Sequence, residues 1–463
     1  MTDPRATAVV LGGSLAGLLT ARALASSVER VVVVERDALP AGPQPRKGLP
    51  QARHVHQLWS GGARALEELV PGVTGRLLAA GVRRLPVTTD MVALSPQGWF
   101  RRWDESAFVL PSSRDLLDWV VREQVLADGR IELVERADAC ALVGTQAAVT
   151  GVRIRAEDGS ERTLPAALVV DATGRASRAP RWLTGLGLAA PLRREVNSGV
   201  AYASRLFRAP DQARDGFPIV NVQADPRSGR PGRGGVLMPI EDGRWMVTLH
   251  GSRGGEPTTD ADDFLRYARE ELSHPVIAEL LANAEPLSGV SYTRTTTNRR
   301  HFYERMPVWP DGFVVVGDAV CALNPVYGHG MSVAAQSALA LREVLRRHGL
   351  RSAGLARLLQ REVGRRVQGA WDLSTGVDVF YPGATDAGPT LRERVTAAYV
   401  RRLMHTATGN GRIARRVTDV TSLERGATVL LAPSVLLAAA VGPLRPALGG
   451  PPLTAEELKA AGL

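Results

Sequence analysis

The chain has 463 residues, of which 44% are hydrophobic and 22% charged, and its formal net charge is +10. This length allows two or three lobes around a sizeable core, and the composition is that of an ordinary globular protein. Lys47 and Lys459 are the only lysines, so the positive charge comes from arginines scattered along the chain. No nucleic-acid-binding motif accompanies them, and we expect no nucleic-acid partner.

Two cysteines, Cys140 and Cys321, without a CxxC spacing exclude a disulfide framework. Residues 1–8 lack the basic and then apolar pattern of a signal peptide. The most apolar stretch, 429–441, is interrupted by Pro433 and too short to span a bilayer. It predicts a buried or interface helix and leaves a membrane-surface contact as the alternative. We expect a cytoplasmic protein without a transmembrane segment.

The first part of the chain predicts a βαβ unit with a strand at 8–11, a helix at 15–26 and a strand at 30–35. Helical patterns follow at 58–69 and 114–126. The apolar residues then alternate with polar ones as in antiparallel strands, and a hairpin turn at Asp158-Gly159 precedes a short strand. These alternating segments are 131–135, 139–143 and 149–155, and a fully buried strand follows at 168–171.

The pattern changes between about 190 and 285. Strands are predicted at 199–207, 218–223, 235–239 and 244–250, followed by a helix that Asp260 caps. A buried strand at 313–316 then leads into a mostly helical remainder. We predict an α/β protein with a Rossmann-like FAD-binding domain (1–85, 110–190 and 286–350), an inserted antiparallel-sheet substrate lobe (86–109 and 191–285) and a helical C-terminal region (351–463).

The first candidate cofactor motif follows the strand at 8–11. Gly12, Ser14 and Gly17 occupy the positions of a GxGxxG turn, with serine replacing the central glycine. Such a turn lets backbone amides approach a pyrophosphate, and the helix start adds partial positive charge. Glu35, followed by Arg36, ends the second strand, where a ribose-binding carboxylate is expected. The motif predicts a dinucleotide; the alternatives are a simple helix start and a solvated strand end.

The second candidate motif is segment 317–331, again a strand, a glycine-rich turn and a helix. An aspartate at the strand end can bond the ribityl chain of FAD, and helix-start amides can stabilise negative charge at the N1/O2 edge of reduced flavin. A glycine-rich helix start without a ligand is the alternative. We predict FAD as the cofactor, held here by Gly317, Asp318, Pro325, Gly328, Gly330 and Met331.

These motifs resemble those of the FAD-dependent monooxygenases of the aromatic hydroxylase and squalene epoxidase superfamily, whose FAD domain is of the glutathione-reductase type. Segments 12–17, 171–177 and 317–325 correspond to its three motifs. More narrowly, the chain is similar to bacterial polyether epoxidases of the lasalocid and monensin type. That similarity is carried by segments 46–56, 59–64, 236–245 and 324–331, and the resemblance covers about residues 8–345.

The resemblance implies that Arg46, Lys47 and Arg114 lie near the flavin and its pyrophosphate, where fixed cations suit phosphate and a reduced, anionic ring. Solvated charges on a loop and a helix start are the alternative. Asp171 belongs to the middle motif and is expected to contact the cofactor. Because Ala172 and Thr173 separate it from the next glycine, the route of reduction stays open. NAD(P)H would act directly or through a separate flavin reductase.

Other side chains are weaker candidates. His54 and His56 have no third ligand beside them, so we expect no metal site. His329 lies within the flavin turn and is a candidate for acid–base work or ring-edge packing. Trp99 and Phe100 in the densest aromatic run are candidates for the wall of a substrate cavity, with core packing an equally open alternative. Met238, in the segment 236–245, is a further candidate substrate contact.

Reduced FAD adds O2 to give a C4a-hydroperoxide, whose outer oxygen an alkene can attack without a protein nucleophile. The protein must supply a dry pocket that positions the alkene. No polar relay for phenol deprotonation is evident in the sequence. We therefore predict epoxidation of a lipophilic, free or carrier-bound polyketide (polyene) in polyether-like antibiotic biosynthesis. The alternatives are an aromatic hydroxylase and a flavin-dependent alkene reductase of the geranylgeranyl reductase type.

Overall fold

The computed structural model describes residues 3–104 and 107–463. The strands of these segments are β1 (Asp3–Leu11), β2 (Val28–Val34), β3 (Gln57–Trp59), β4 (Leu85–Pro86), β5 (Met91–Ser95), β6 (Gly98–Trp99), β7 (Phe108–Pro111), β8 (Ile131–Val134), β9 (Ala137–Gly144), β10 (Val149–Ala156), β11 (Glu161–Pro165), β12 (Leu168–Asp171), β13 (Arg193–Val196), β14 (Ala201–Arg208), β15 (Ile219–Val222), β16 (Arg233–Ile240), β17 (Arg244–Gly251), β18 (Glu285–Pro286), β19 (Ser291–Thr293), β20 (Asn298–His301), β21 (Phe313–Val315) and β22 (Cys321–Ala322).

The helices are α1 (Leu15–Leu24), α2 (Ser60–Leu69), α3 (Val73–Ala79), α4 (Val87–Asp90), α5 (Arg114–Leu126), α6 (Ala179–Gly185), α7 (Ala261–Glu270), α8 (Val276–Leu280), α9 (Gly330–His348), α10 (Leu355–Asp378), α11 (Leu391–Gly409), α12 (Gly411–Thr421), α13 (Pro433–Val441) and α14 (Ala455–Ala460). Asp260 caps α7 through hydrogen bonds from two backbone amides, as the sequence predicts.

A five-stranded parallel sheet in the order β21-β12-β1-β2-β8 forms the centre of the FAD-binding domain. Its central strands are apolar runs that are covered by helices, which include α1 and α10, and by the antiparallel strands β9 and β10. The prediction that residues 131–135 form an antiparallel strand is wrong, because β8 pairs in parallel with β2. As an edge strand, β8 is only partly buried, and its alternating pattern imitates that of an antiparallel strand.

An antiparallel sheet β11-β10-β9 joins this domain, and the predicted hairpin at Asp158-Gly159 connects two of its strands. The inserted lobe contains a larger sheet in the order β18-β14-β17-β16-β15-β5-β6, with β19 beside β14. Its pairs are antiparallel except β15 with β5. A tight turn with positive φ at Asp242 and Gly243 joins β16 to β17. Strands β18 and β19 carry the lobe sheet past residue 285.

The long helix α10 packs against α9 and β21, and its side chains Val363, Val367 and Trp371 belong to the core of the FAD-binding domain. Helices α11, α12 and α13 instead form a small cluster of their own. The sequence predicts a buried or interface helix here; on α13, Val435 and Ala439 are buried and Leu437 is 68% exposed. In the part of the chain that the structure describes, no helix is long and apolar enough to cross a membrane.

Candidate active site

The turn between β1 and α1 has the geometry that a close backbone approach needs. Gly12 has a φ of +101°, and a Cβ on it would lie 2.7 Å from the Ala172 carbonyl oxygen. A Cβ on Gly17 would lie 1.8 Å from the Gly12 carbonyl oxygen, so helix α1 can pack this closely only with glycine there. The first turn of α1 carries no acidic residue. The cradle therefore fits a dinucleotide pyrophosphate.

A buried chain of charges extends from this turn. Glu35 accepts a hydrogen bond from the Gly13 amide at 2.7 Å and pairs with Arg46, whose Nη2 lies 3.0 Å from its Oε2. Arg46 also lies 3.5 Å from Asp118, and Asp118 pairs with Arg114 at 2.8 Å. The chain thus connects the strand-2 carboxylate to the two predicted arginines.

Ser14 closes this chain of contacts. It is the N-cap residue of α1, yet its side chain does not cap the helix and instead accepts a hydrogen bond from Arg114 at 3.1 Å. Arg36 and Lys47 lie outside the chain of contacts. Both are exposed, and Arg36 lies 3.9 Å from the carboxylate of Asp37. Arg46 and Lys47 are neighbours in sequence, but the structure brings only Arg46 to the cofactor turn.

The three predicted motifs meet around Asp318. A Cβ on Gly317 would lie 2.9 Å from that of Ala16, and one on Gly330 would lie 3.9 Å from the Asp318 carboxylate. Arg175, from the middle motif, lies 3.9 Å from Asp318. The side chain of Asp318 is 44% exposed. The surrounding protein removes water from the carboxylate and so raises the pKa of Asp318, and the positive charge of Arg175 opposes the rise. The position suits a carboxylate that bonds a hydroxylated chain.

Asp171 has a different position from the one predicted. It is fully buried and accepts hydrogen bonds from the Thr173 amide and from the hydroxyl groups of Thr173 and Ser177, at 2.6 to 2.9 Å. Burial raises its pKa, and these bonds oppose the rise. Asp171 therefore shapes the middle turn from inside the protein, which corrects its assignment as a direct cofactor contact.

The turn at 324–328 is held by a buried polar network that sequence reasoning missed. Its centre is Asp378, the last residue of α10, which is 1% exposed. Asp378 accepts hydrogen bonds from Tyr327 (2.7 Å) and Asn324 (2.8 Å) in the turn. Asn298 (2.7 Å) and Ser198 (3.1 Å) are its other donors. Burial raises the pKa of Asp378, and the four hydrogen bonds oppose the rise.

Tyr202 of the lobe sheet extends the network, because its hydroxyl donates to Asn324 Oδ1 at 2.6 Å. Burial first, and the charge of Asp378 second, raise the pKa of Tyr202 well above its usual value. The network therefore ties the predicted flavin turn, the lobe and α10 together. One feature of the sequence points to this role. Asp378 lies at a helix C-terminus, where a negative charge interacts unfavourably with the helix dipole and therefore needs other stabilising partners.

Pro325 and Gly330 are exposed, and the first turn of α9 contains no acidic residue. Gly328 has a φ of +65°, and a Cβ on it would lie 3.0 Å from the side chain of Gln57. Met331 is buried one residue into α9. The first residue of α9 is thus open to a ligand, and the first turn of the helix adds no negative charge of its own, as a reduced flavin edge requires. The residues present fit FAD at both motifs.

His329 is held away from acid–base work. Its Nε2 donates to the Thr421 carbonyl at 2.9 Å, and its ring stacks near Tyr327. Burial lowers its pKa to about 4. The ring is therefore neutral at physiological pH and supports the start of α9 by packing, which is one of the two roles the sequence left open.

Three more histidines lie where the lobe sheet faces the FAD-binding domain. His54 Nδ1 lies 2.7 Å from the Ser204 hydroxyl, and the ring centroids of His54 and His250 each lie 6.0 Å from that of Tyr202. His56 Nδ1 donates to the His54 carbonyl. Burial lowers the pKa of each of these three histidines to about 4. These three imidazole rings are therefore neutral polar groups between the lobe sheet and the FAD-binding domain.

The predicted substrate contacts do not share a cavity. Trp99 packs in the lobe core, edge-on to His274 at 5.1 Å. Phe100 packs against the C-terminal cluster around Leu403. Met238 is 1% exposed, buried among apolar side chains between the lobe and the FAD-binding domain. Core packing, the alternative left open for the aromatic run, is what the structure shows for Trp99.

The fold and the glycine cradles define a flavin-dependent oxygenase scaffold, and comparison with known proteins gives its family. The family model FAD_binding_3, described as FAD binding domain, matches residues 5–375, and the chain belongs to this family. It is an FAD-dependent monooxygenase of the aromatic-hydroxylase type. The predictions of FAD, of the α/β fold and of the superfamily are confirmed.

Individual relatives show the breadth of this scaffold. Protein Rv3254 of Mycobacterium tuberculosis is 32% identical over 396 residues, which cover 83% of this chain and 82% of that protein. Kynurenine 3-monooxygenase of Salinispora tropica is 29% identical over 377 residues, covering 77% and 76%. Among solved structures, the flavin-dependent brominase Bmp2 superposes with a TM-score of 0.64 at 15% identity, covering 90% of this chain and 93% of its own. At that identity the likeness concerns the fold alone.

Proposed function

We propose that the protein transfers one oxygen atom from O2 to a carbon–carbon double bond of a lipophilic polyketide, as in polyether biosynthesis. The observation that carries the proposal is the lobe face above the flavin turn. At its centre the side chains are apolar or neutral: Tyr202, Ser204, Leu206, Val236, Met246, Thr248 and His250. No fixed charge at these positions would bind an acidic or basic substrate.

The residues of this site perform supporting work, since bound FAD supplies the redox chemistry with O2. Arg46 and Arg114 hold the cofactor turn with fixed positive charge, and the start of α9 stabilises negative charge at the ring. The neutral histidines and apolar side chains exclude water and leave an alkene undisturbed. The motif resemblance to polyether epoxidases points to the same substrate class.

The test is incubation of the FAD-loaded protein with a reducing system, labelled O2 and a polyene. Mass spectrometry should find one labelled oxygen atom per converted double bond. Gain of two hydrogen atoms would instead indicate an alkene reductase, and hydroxylation of an aromatic compound with untouched polyene would contradict epoxidation. Comparing NADPH alone with NADPH plus a flavin reductase shows whether a reductase partner is required.

Aromatic hydroxylation is the second candidate, and a specific observation favours it. A phenol hydroxylase needs a polar relay for deprotonation, and the network of Tyr202, Asn324, Asp378 and Tyr327 joins two phenols to one carboxylate beside the flavin turn. The similarity to kynurenine 3-monooxygenase points the same way. Conversion of a phenol or an aryl amine with a basic pH dependence that the Asp378→Asn variant lacks would support this candidate over epoxidation.

A further inference from the structure

A row of exposed apolar side chains lies along the outer side of α13 and its flanking segments. We call it the C-terminal apolar ridge, and its members are Leu431, Leu436, Leu437, Val441 and Leu444. The opposite side of α13 packs inward through Val435 and Ala439. Because the helix is apolar on all sides, burying one side leaves the other uncovered. Such a helix is normally buried, and a contiguous exposed patch of this kind marks an interaction surface.

The ridge runs into a positively charged groove. Leu444 lines this groove of about 1040 Å³ together with Trp103, five arginines that include Arg412 and Arg445, and two aspartates, Asp104 and Asp419. Arg412 and Arg445 are exposed, and neither has an ion-pair partner within the described residues 3–104 and 107–463. The Arg445 guanidinium lies 5.4 Å from the centre of the Trp103 ring. Leucines, an aromatic ring and unpaired arginines thus share one surface.

The charge decides between the partners that could cover this surface. A second copy of the chain, related by a twofold axis, would bring the same ridge and the same arginines together, and the like charges would repel. An anionic bilayer provides an apolar layer for the leucines and phosphates for the arginines. We propose that the C-terminal apolar ridge and the groove at Arg412 and Arg445 form a peripheral contact surface for anionic lipid bilayers.

This surface is separate from the flavin site and does not depend on which bond is oxidised. Helix α11, whose Leu403 and Ala407 pack against α13, carries the ridge. Helix α12 carries Arg412 near its start and contacts the flavin segment at its opposite end, where the Thr421 carbonyl accepts a hydrogen bond from His329. A bilayer contact there would hold the enzyme at the phase in which a lipophilic substrate concentrates. It uses side chains on the surface and requires no helix to enter the bilayer core.

The experiment is co-sedimentation of the FAD-loaded protein with vesicles of phosphatidylcholine alone and of equal parts phosphatidylcholine and phosphatidylglycerol. We expect binding to the mixed vesicles only. The pair Arg412→Gln and Arg445→Gln should lower the partition coefficient roughly 30-fold, since each basic side chain contributes about a factor of five. The pair Leu436→Ser and Leu437→Ser should lower it by a similar roughly 30-fold factor through lost apolar burial.

Leu192→Ser is the matched control, because Leu192 is 59% exposed but lies just before β13, outside the ridge. It should bind vesicles like the unchanged protein. Flavin content measured for every variant shows that each one is folded. Absence of binding to the mixed vesicles, or equal binding by the Leu436/Leu437 pair and by Leu192→Ser, overturns the proposal. A dimer in sedimentation velocity that only the ridge variants dissociate would assign the ridge to a second copy and also overturn it.

Discussion

Replacing Asp378 with alanine is expected to release the flavin turn at 324–328. The carboxylate accepts four hydrogen bonds, two of them from Asn324 and Tyr327 in that turn, and alanine leaves all four donors without an acceptor. A buried donor without a partner costs at least about 1 kcal/mol, so the apoprotein should lose about 4 kcal/mol of unfolding free energy. If the ordered turn then falls to roughly a tenth of the molecules, the dissociation constant for FAD rises about tenfold.

Asp378→Asn separates the shape of the network from its charge. The amide oxygen can still accept from Asn298 and Asn324, and its NH2 group can donate to Tyr327 once that hydroxyl turns round. We therefore expect a loss of only about 1 kcal/mol. The assays are thermal unfolding of the apoprotein and fluorescence titration with FAD.

The control is Asp372→Ala, six residues earlier on α10, where the carboxylate is exposed and accepts a hydrogen bond from Gln368. It should leave both quantities unchanged, because exposed substitutions of this kind have small effects. The reasoning is refuted if Asp378→Ala unfolds and binds FAD like Asp372→Ala. It is also refuted if the asparagine variant is as damaged as the alanine variant.

Three further predictions concern the cofactor site. Arg46→Gln should cost about 3–5 kcal/mol of stability and slow flavin oxidation in stopped-flow traces, because it leaves the buried Glu35 carboxylate without its arginine and Asp118 with Arg114 alone. Lys47→Gln should stay within about 0.5 kcal/mol, and equal effects would refute the different placement of the two residues. Asp318→Ala should weaken FAD binding roughly tenfold in equilibrium dialysis, and the exposed Asp311→Ala should not; normal FAD retention would contradict the ribityl contact. Burial lowers the pKa of His54, His56, His250 and His329 to about 4, so these histidines bind fewer protons in the folded than in the unfolded protein. The free energy of unfolding should therefore be highest above about pH 6.5 and fall towards pH 4, by about 2 kcal/mol per histidine at pH 5. A thermal unfolding midpoint that stays constant from pH 7 to 5 would disprove their burial as neutral rings.

Local signals in the sequence predicted the glycine turn after β1 and the bounds of helix α5. Gly12 and Gly17 are required by contacts of one short turn, and helix α5 begins and ends where its periodicity predicts. The direction of β8 was predicted wrongly, because an edge strand that is covered on one face has the same alternation in parallel and antiparallel sheets. What a strand pairs with is a property of the whole sheet.

Side-chain placement within the site was harder to predict, because it depends on partners distant in sequence. Arg46 turns inward to Glu35 and Asp118 while Lys47 beside it is solvated, and nothing in the local pattern distinguishes two adjacent cations. Trp99 packs in the lobe core, because the pairing of β6 with β5 determines the face of the sheet on which its side chain lies. Asp378 contacts residues 51 to 180 positions away, so no local sequence motif predicts its hydrogen bonds to the flavin turn.

The bonds made by Asp378 also bear on how the protein is synthesised. The turn that faces the flavin is complete at residue 328, but the carboxylate that fixes it is 50 residues later, at the end of α10. A growing chain can therefore shape the Gly12 cradle early and must wait for α10 to leave the ribosome before the second half of the site is firm. We expect cofactor capture to be a late event in biosynthesis, so that ribosome-bound chains ending before residue 378 retain little FAD.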